Sequence, residues 1–307
     1  MTGDGGAGRF LARATFVAVI VAQVVGCAGK REAAGPVPAE LRTAFPASAR
    51  MAARQLAPGV RHIHIQDARG PWAIHVLEAE VARCDVGLAA RKAGPPLAAR
   101  GRTSELAVGM LAAVNADFFL IPAGTPTGTH GEGGEVLIGP GARPVFAAAA
   151  DVAWMGPARL EGGVVRGRDT LALGQVNRVE GEGAGAVVLL THWFGARTPG
   201  DSAALQVVVR RTRGRPAARA GVVTAVDSAG TALDLDTTRV VFAARGEGRA
   251  ALAHLAVGDT VTWWSAVVPE GGSQGARRAA EVAVGGFPRL LRAGRPAADS
   301  GTVVRPE

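Results

Sequence analysis

Residues 113–137 read AVNADFFLIPAGTPTGTHGEGGEVL, and the parsing of this stretch decides the fold. The apolar run at residues 111–114 has the length of a compact buried strand. It ends on Asn115, Ala116 and Asp117, at the point where strand ends present polar groups to solvent. Beyond it Thr127, Thr129, His130, Glu132 and Glu135 are interleaved with Gly124, Gly128, Gly131, Gly133 and Gly134. Glycine admits positive φ and close backbone approach, so a loop of this kind can turn tightly and aim several side chains inward. An exposed hairpin with merely solvated polar groups has the same composition, and composition leaves both readings open.

Outward from this stretch the pattern is mainly that of strands. Residues 60–66, 72–79 and 81–89 carry apolar residues in alternation or short runs between Gly, Pro and charged turns, which predicts a meander. Thr103, Ser104 and Glu105 offer an N-cap to a brief helix over 106–110. From about residue 151 to 269, short strand candidates follow at 186–191, 205–210, 221–227, 232–235, 239–243 and 261–268, with one helix at 250–255. Their spacing suits a small antiparallel barrel or sandwich. The expected fold class is therefore α+β: a mixed sheet with few helices from residues 59–150 and the C-terminal part, interrupted by a β-rich, barrel-like insertion at about 151–269.

The formal charge of +8 raises nucleic acid as a partner, yet the basic residues do not gather into a patch, and Lys30 and Lys92 are the only lysines. The charge reads as solvated surface, with no nucleic-acid partner. Arg9 and Arg13 precede an apolar run over 15–25 that is too short to span a bilayer and suits a signal-peptide core. The run ends in Val24-Val25-Gly26-Cys27, which resembles a bacterial lipobox. Residues 1–26 then form a lipoprotein-type signal peptide, Cys27 is the lipid attachment, and the chain is exported and held on the membrane through its acyl chains. An ordinary signal peptide, giving a secreted or periplasmic protein, is the alternative. Pro36, Pro38, Pro46 and Pro58 mark 27–58 as a tether with one short helix at most. Cys84 is left without a disulfide partner and reads as a buried thiol in a strand.

Three ordered motifs carry a resemblance. The first is Val114-Asn115-Ala116-Asp117-Phe118-Phe119 followed by Gly124-Thr125-Pro126-Thr127-Gly128. Asn177 and then Thr191-His192-Trp193-Phe194-Gly195 form the second, and Gly285-Gly286-Phe287-Pro288-Arg289-Leu290-Leu291-Arg292-Ala293-Gly294 the third. Together they resemble the phosphodiester glycosidase family, the relatives of the lysosomal uncovering enzyme, over roughly residues 59–294. In that family the third motif is followed by an Arg-Thr pair before a Gly, and by a strand ending in Asp-Gly-Arg. The sequence given stops at Glu307, so the resemblance implies a domain incomplete at its C-terminus.

The resemblance implies hydrolysis of a sugar-1-phosphodiester in envelope or extracellular glycans, with no cofactor. Carboxylates are the usual agents for stabilising oxocarbenium-like charge and activating water. Asp117 is then the first candidate for acid/base or nucleophile, with Glu132 or Glu135 as its partner. Asn115, Thr127, Gly128 and His130 are candidates for the sugar or phosphate, Gly285 and Gly286 for close backbone approach to the ligand, and Arg289 for phosphate. Each has a plain structural alternative: Asn115 capping a turn, Asp117 fixing the loop, His130 solvated, Arg289 a surface residue. Phe118 and Phe119 read as core rather than as a sugar platform. His62 and His64 alternate on one face of the first predicted strand without a nearby carboxylate or thiol, and read as half-buried strand residues rather than a metal pair. The other function class is a non-catalytic glycan-binding or scaffold lipoprotein.

Overall fold

Alternation builds the first sheet of the structure, a computed structural model that describes residues 35–149, 152–179, 186–212, 219–270, 279–289, 291–292 and 295–296. The segment 1–26 expected as a signal peptide, Cys27, the first part of the expected tether, Leu290, Ala293 and Gly294 lie outside the described residues. Strands β1 (Arg50–Ala57), β2 (Val60–Asp67) and β3 (Trp72–Ala79) form an antiparallel meander. Ile63 and Ile65 are fully buried on its inner face. They pack with Ala53 and Val37 and against Leu41 of helix α1 (Ala39–Ala44). The tether expected over 27–58 therefore gives way to folded chain well before residue 58. Its prolines delimit elements instead of breaking them: Pro38 caps α1, Pro46 follows it, and Pro58 sits in the β1–β2 turn.

Two further strand expectations fail on backbone hydrogen bonding. Over 81–89 the Arg83 amide donates to the Glu80 carbonyl (3.0 Å) and the Val86 amide to Arg83 (3.2 Å). These local turns engage amides that a ladder would need. Cys84 is consequently exposed, not buried. Residues 111–114 likewise run as exposed irregular chain, with Leu111 63% and Val114 70% accessible.

The rest of the chain is strand-rich with few helices, as expected. A five-stranded sheet has the order β5-β4-β15-β6-β7, from β4 (His130–Glu132), β5 (Glu135–Ile138), β6 (Val145–Ala149), β7 (Val152–Gly156) and β15 (Val282–Gly285). Between β7 and β15 lies a closed barrel ordered β10-β13-β11-β12-β14-β8-β9. Its strands are β8 (Ala158–Arg166), β9 (Asp169–Val176), β10 (Val187–Leu190), β11 (Leu205–Arg211), β12 (Arg219–Asp227), β13 (Arg239–Ala244) and β14 (Thr260–Pro269). The described pairings of the five-stranded sheet are antiparallel, and the parallel pairing lies in the barrel, where it joins β9 to β10.

The insertion starts at residue 158 rather than 151, because β7 belongs to the five-stranded sheet. Ala158 pairs with Pro269, and the Glu270 amide donates to the Pro157 carbonyl (3.0 Å), so the barrel's entry and exit are pinned side by side. One apolar core spans the barrel and the sheet: Val207, Val240, Phe242 and Val261 of the barrel join Val145, Ala147 and Ala283. Phe242, fully buried and edge-on to Trp263, is one of its large members; burial of such a side chain stabilises by roughly 1.5–3 kcal/mol.

The expected strand at 232–235 is reduced to a bridge between Arg197 and Asp234. Both remaining helices begin earlier than the apolar pattern suggests. Helix α2 (Thr103–Leu106) starts after Arg102, whose amide donates to the Glu105 carboxylate (3.1 Å), and the chain leaves it through Gly109 at φ +83. Helix α3 (Gly246–Leu252) includes Gly246 and Gly248, which mask its start in sequence. A short hairpin, β16 (Leu291–Arg292) and β17 (Arg295–Pro296), follows β15.

Candidate functional site

Asp117 sits at φ +59, in the left-handed region that few residues other than glycine occupy. Its Oδ2 accepts a hydrogen bond from the Gly128 amide at 2.9 Å. The intervening loop closes on itself: the Thr127 amide donates to the Phe118 carbonyl (2.9 Å) and the Leu120 amide to Thr125 (2.9 Å). Asp117 thus clamps the base of the loop, and its Oδ1 is buried without a hydrogen-bond partner. Most of the loop above is exposed, including Phe118 and Phe119 at 56% and 47%, so these rings are not core as expected.

Two glycines wall the carboxylate. A Cβ on Gly128 would lie 2.8 Å from Asp117 Oδ2 and 2.9 Å from the Gly285 Cα. A Cβ on Gly285 would meet the Gly128 Cα at 2.8 Å and Asp117 Oδ2 at 2.9 Å. The Gly285 amide donates to the Thr129 carbonyl (2.8 Å), which ties β15 to the loop. Gly286 donates to Pro144, but a Cβ there would meet no protein atom within 4 Å.

Three cationic or ionisable side chains gather around this contact. Arg178 donates from Nη2 to the carbonyls of Thr127 (3.2 Å) and Gly128 (3.0 Å), while its Nε is buried without a partner. Burial lowers the Arg178 pKa from its ordinary value; Asp117 pulls it back up and Arg143 pushes it down. The Arg143 guanidinium lies over the rings of Phe118 (5.6 Å) and Phe287 (5.7 Å), bridging the loop to the third motif. His130 is buried with Nε2 unpartnered, and burial lowers its pKa against the opposing pull of Glu132 and Asp117. Thr129 Oγ1 is a further buried atom without a partner. Buried polar atoms are nearly always hydrogen-bonded, so Asp117 Oδ1, Thr129 Oγ1, His130 Nε2 and Arg178 Nε are each open to a water or a polar ligand group as partner.

The other candidates fall elsewhere. Glu132 and Glu135 pair across the β4–β5 hairpin and are engaged by different elements. Arg91 binds Glu132 at 2.6 Å with the Lys92 amide at 3.3 Å, and Arg219 lies 3.7 Å from Glu135. Neither glutamate is hydrogen-bonded into the Asp117 clamp. Asn115 is exposed on irregular chain, Thr127 donates its hydroxyl to the Phe118 carbonyl (3.0 Å), and the Arg289 Nη1 lies beside Gly156 at the end of β7.

Arg178 escaped the sequence reading although its neighbour Asn177 was part of the second motif. Asn177 is buried at φ +50 and donates to the Leu137 carbonyl (2.8 Å) and Thr191 Oγ1 (2.9 Å), while its Oδ1 accepts from the Thr191 amide (2.8 Å). This splice fixes the end of β9 against β5 and β10, and directs the next side chain, Arg178, to the Asp117 loop. A polar residue directly after a motif asparagine was the available signal.

No family model and no curated protein matches the chain. Among solved structures it is similar to a hypothetical protein from Synechocystis, with a TM-score of 0.56 and 19% identity over 78% of this chain and 44% of that one. It is also similar to a candidate exported protein of Burkholderia pseudomallei K96243, with a TM-score of 0.50 and 18% identity over 75% of this chain and 51% of that one. The chain spans about half the length of both structures, and at this identity the likeness is one of fold.

Proposed function

We propose that the chain is an exported phosphodiester glycosidase that hydrolyses a sugar-1-phosphodiester in envelope or extracellular glycans. The observation that carries this reading is Asp117, a carboxylate on strained backbone with one oxygen clamped by Gly128 and the other buried and unpartnered. Stored strain at an ordered position is a common companion of function. Arg178 and Arg143 supply the guanidinium chemistry that matches a phosphate, and Phe118 and Phe119, exposed rings with an arginine over one face of each, suit the apolar side of a sugar ring.

In this mechanism Asp117 acts on the anomeric centre, either by adding to it or by taking a proton from attacking water. The phosphomonoester leaves as a weak base held by guanidinium groups, so its protonation contributes little. His130, kept mostly neutral by burial, offers a hydrogen bond to a phosphate oxygen through a ring nitrogen. With Glu132 and Glu135 engaged by arginines, Asp117 has no carboxylate partner hydrogen-bonded to it among the described residues. That engagement is what favours the second reading, a non-catalytic glycan-binding lipoprotein.

Sugar release from a sugar-1-phosphodiester by the full chain separates the two. Turnover that falls by about 10²–10⁴-fold in Asp117→Ala is expected for the enzyme. Absence of turnover together with retained glycan binding would favour the binding protein.

Export rests on the apolar run over 15–25 and on the fold shared with the Burkholderia protein; lipid attachment rests on Gly26-Cys27. Among the described residues no helix is long and apolar enough to cross a membrane. The mature N-terminal peptide should begin at an acylated Cys27 by mass spectrometry, and Cys27→Ser should move the protein from the membrane to the soluble fraction. An unmodified peptide spanning Cys27 in the mature protein would remove the anchor.

A further inference from the structure

Two arginines come together on the inner wall of the barrel, and the proposed function uses neither. Along β11 the alternation that buries Val207 and Val209 in the core brings Arg211 to the same face two residues on. On β12, Arg219 pairs directly across from Trp263, which is buried in that core, so the two side chains share a face. Gly221, paired with Arg211 and two residues along from Arg219, puts no side chain between them. Glu135 of β5 lies 3.7 Å from Arg219, whose Nη1 donates to Ser265 Oγ of β14 at 3.4 Å. His192, just beyond β10, interacts electrostatically with Arg211 and Glu135, as Arg211 does with Glu135 and Arg219.

The polar atoms left over in this cluster are chiefly donors. Arg211 Nε, Arg211 Nη2, Trp263 Nε1 and His192 Nδ1 are all buried without a hydrogen-bond partner. Guanidinium and indole N–H groups can only donate. Nε and Nη2 together form the edge of a guanidinium that binds an oxyanion through two parallel bonds. Arg83 uses that same edge on Asp85, at 2.9 and 2.8 Å.

Charge is one-sided as well. Two guanidinium groups against the single carboxylate of Glu135 leave one positive charge uncompensated. Asp236, the other carboxylate that acts on His192, is paired with Arg239 at 3.0 Å. Burial lowers the Arg211 pKa from its ordinary value, Glu135 raises it, and Arg219 lowers it. A buried guanidinium edge with no acceptor is costly, and an anion seated on it offsets that cost.

We propose that Arg211 and Arg219 form a binding site for one oxyanion group, a phosphate or a carboxylate, at the end of the barrel that faces β5. Arg211 takes two of its oxygens side-on, and Arg219 adds the second positive charge from the neighbouring strand. Burial, with Arg211 acting in the same direction, holds the His192 pKa below its ordinary value. His192 therefore takes part as a neutral ring, donating from Nδ1 in the tautomer that carries its proton there.

Full-length protein titrated in a calorimeter at neutral pH with sodium phosphate, and separately with sodium acetate, at ionic strength matched with sodium chloride, should bind one of the two anions saturably. The anion bound more tightly identifies the group. Arg211→Lys keeps the charge and loses the two-donor edge, so it should weaken binding on the order of tenfold or more with an unchanged circular dichroism spectrum. Arg178→Gln, which alters the guanidinium beside Asp117, should retain the binding, so this test is read separately from the glycosidase reaction. Thermal melts of Arg211→Met should lack the anion-dependent rise of the native chain. Absence of saturable binding of both anions, or binding by Arg211→Lys equal to that of the native chain, overturns the proposal. So does an Arg211→Met melting temperature that falls by the same amount in phosphate, acetate and chloride, which would make Arg211 a packing residue.

Discussion

Gly128 and Gly285 come from two motifs far apart in sequence and meet through their α-carbons, with the Asp117 carboxylate against both. A methyl group at Gly285 would overlap the Gly128 backbone and the carboxylate at once, and backbone on one side leaves little freedom to yield. Gly285→Ala should therefore destabilise the fold by about 1–3 kcal/mol and displace Asp117. Gly286→Ala, with open space at its Cβ, should leave the melting temperature unchanged. If Gly286 faces bound substrate, that same variant raises KM without altering stability. Thermal melts and steady-state kinetics on the two variants check this, and equal melting temperatures would contradict the steric argument. The sequence reading named both glycines for ligand approach; contact geometry separates one that packs from one that is open.

At the scale of elements, the Asn177–Thr191 splice joins β9, β10 and β5 and sets the direction of Arg178. Removing the amide in Asn177→Ala leaves the Leu137 carbonyl and the Thr191 amide without their partner. A buried group so stranded costs about 1–3 kcal/mol, so the melting temperature should drop and any turnover should fall with it through Arg178. A variant with native stability would show the splice to be dispensable. Barrel strands such as β11, β13 and β14 were legible because alternation or a dense apolar run there coincides with burial in the core. Residues 81–89 and 111–114 were misread because apolar content alone does not say where the backbone amides go. In the first, local turns engage them; in the second, the run of apolar residues lies exposed without a ladder. Asp117, Gly128, His130 and Gly285 stand out in the glycine-rich loop and the spaced motifs, and the structure brings Gly128 and Gly285 against the Asp117 carboxylate. Arg178 does not stand out in sequence, because its role depends on a tertiary splice beside it.

The molecule as a whole couples the five-stranded sheet beside the Asp117 loop to the barrel through one core, so ionisation in either part is expected to act on a common unfolding transition. His130 in the sheet and His192 beside the barrel both have pKa values pushed below the ordinary 6.5, chiefly by burial. The unfolded chain, with ordinary histidines, therefore binds more protons than the native one in the interval below 6.5. Stability contributed by these neutral histidines is fully present above pH 6.5 and is lost as pH falls from there toward the folded-state values. Denaturant midpoints measured from pH 8 to pH 5 should fall on the acidic side of 6.5. His130→Gln, which keeps a polar group but cannot titrate, should flatten part of that slope while lowering the plateau. Since Glu132 and Asp117 attract the charged form of His130, they reduce the size of this loss. An acid slope identical in the native chain and in His130→Gln would place the proton uptake elsewhere and leave the buried histidine without influence on pH-dependent stability.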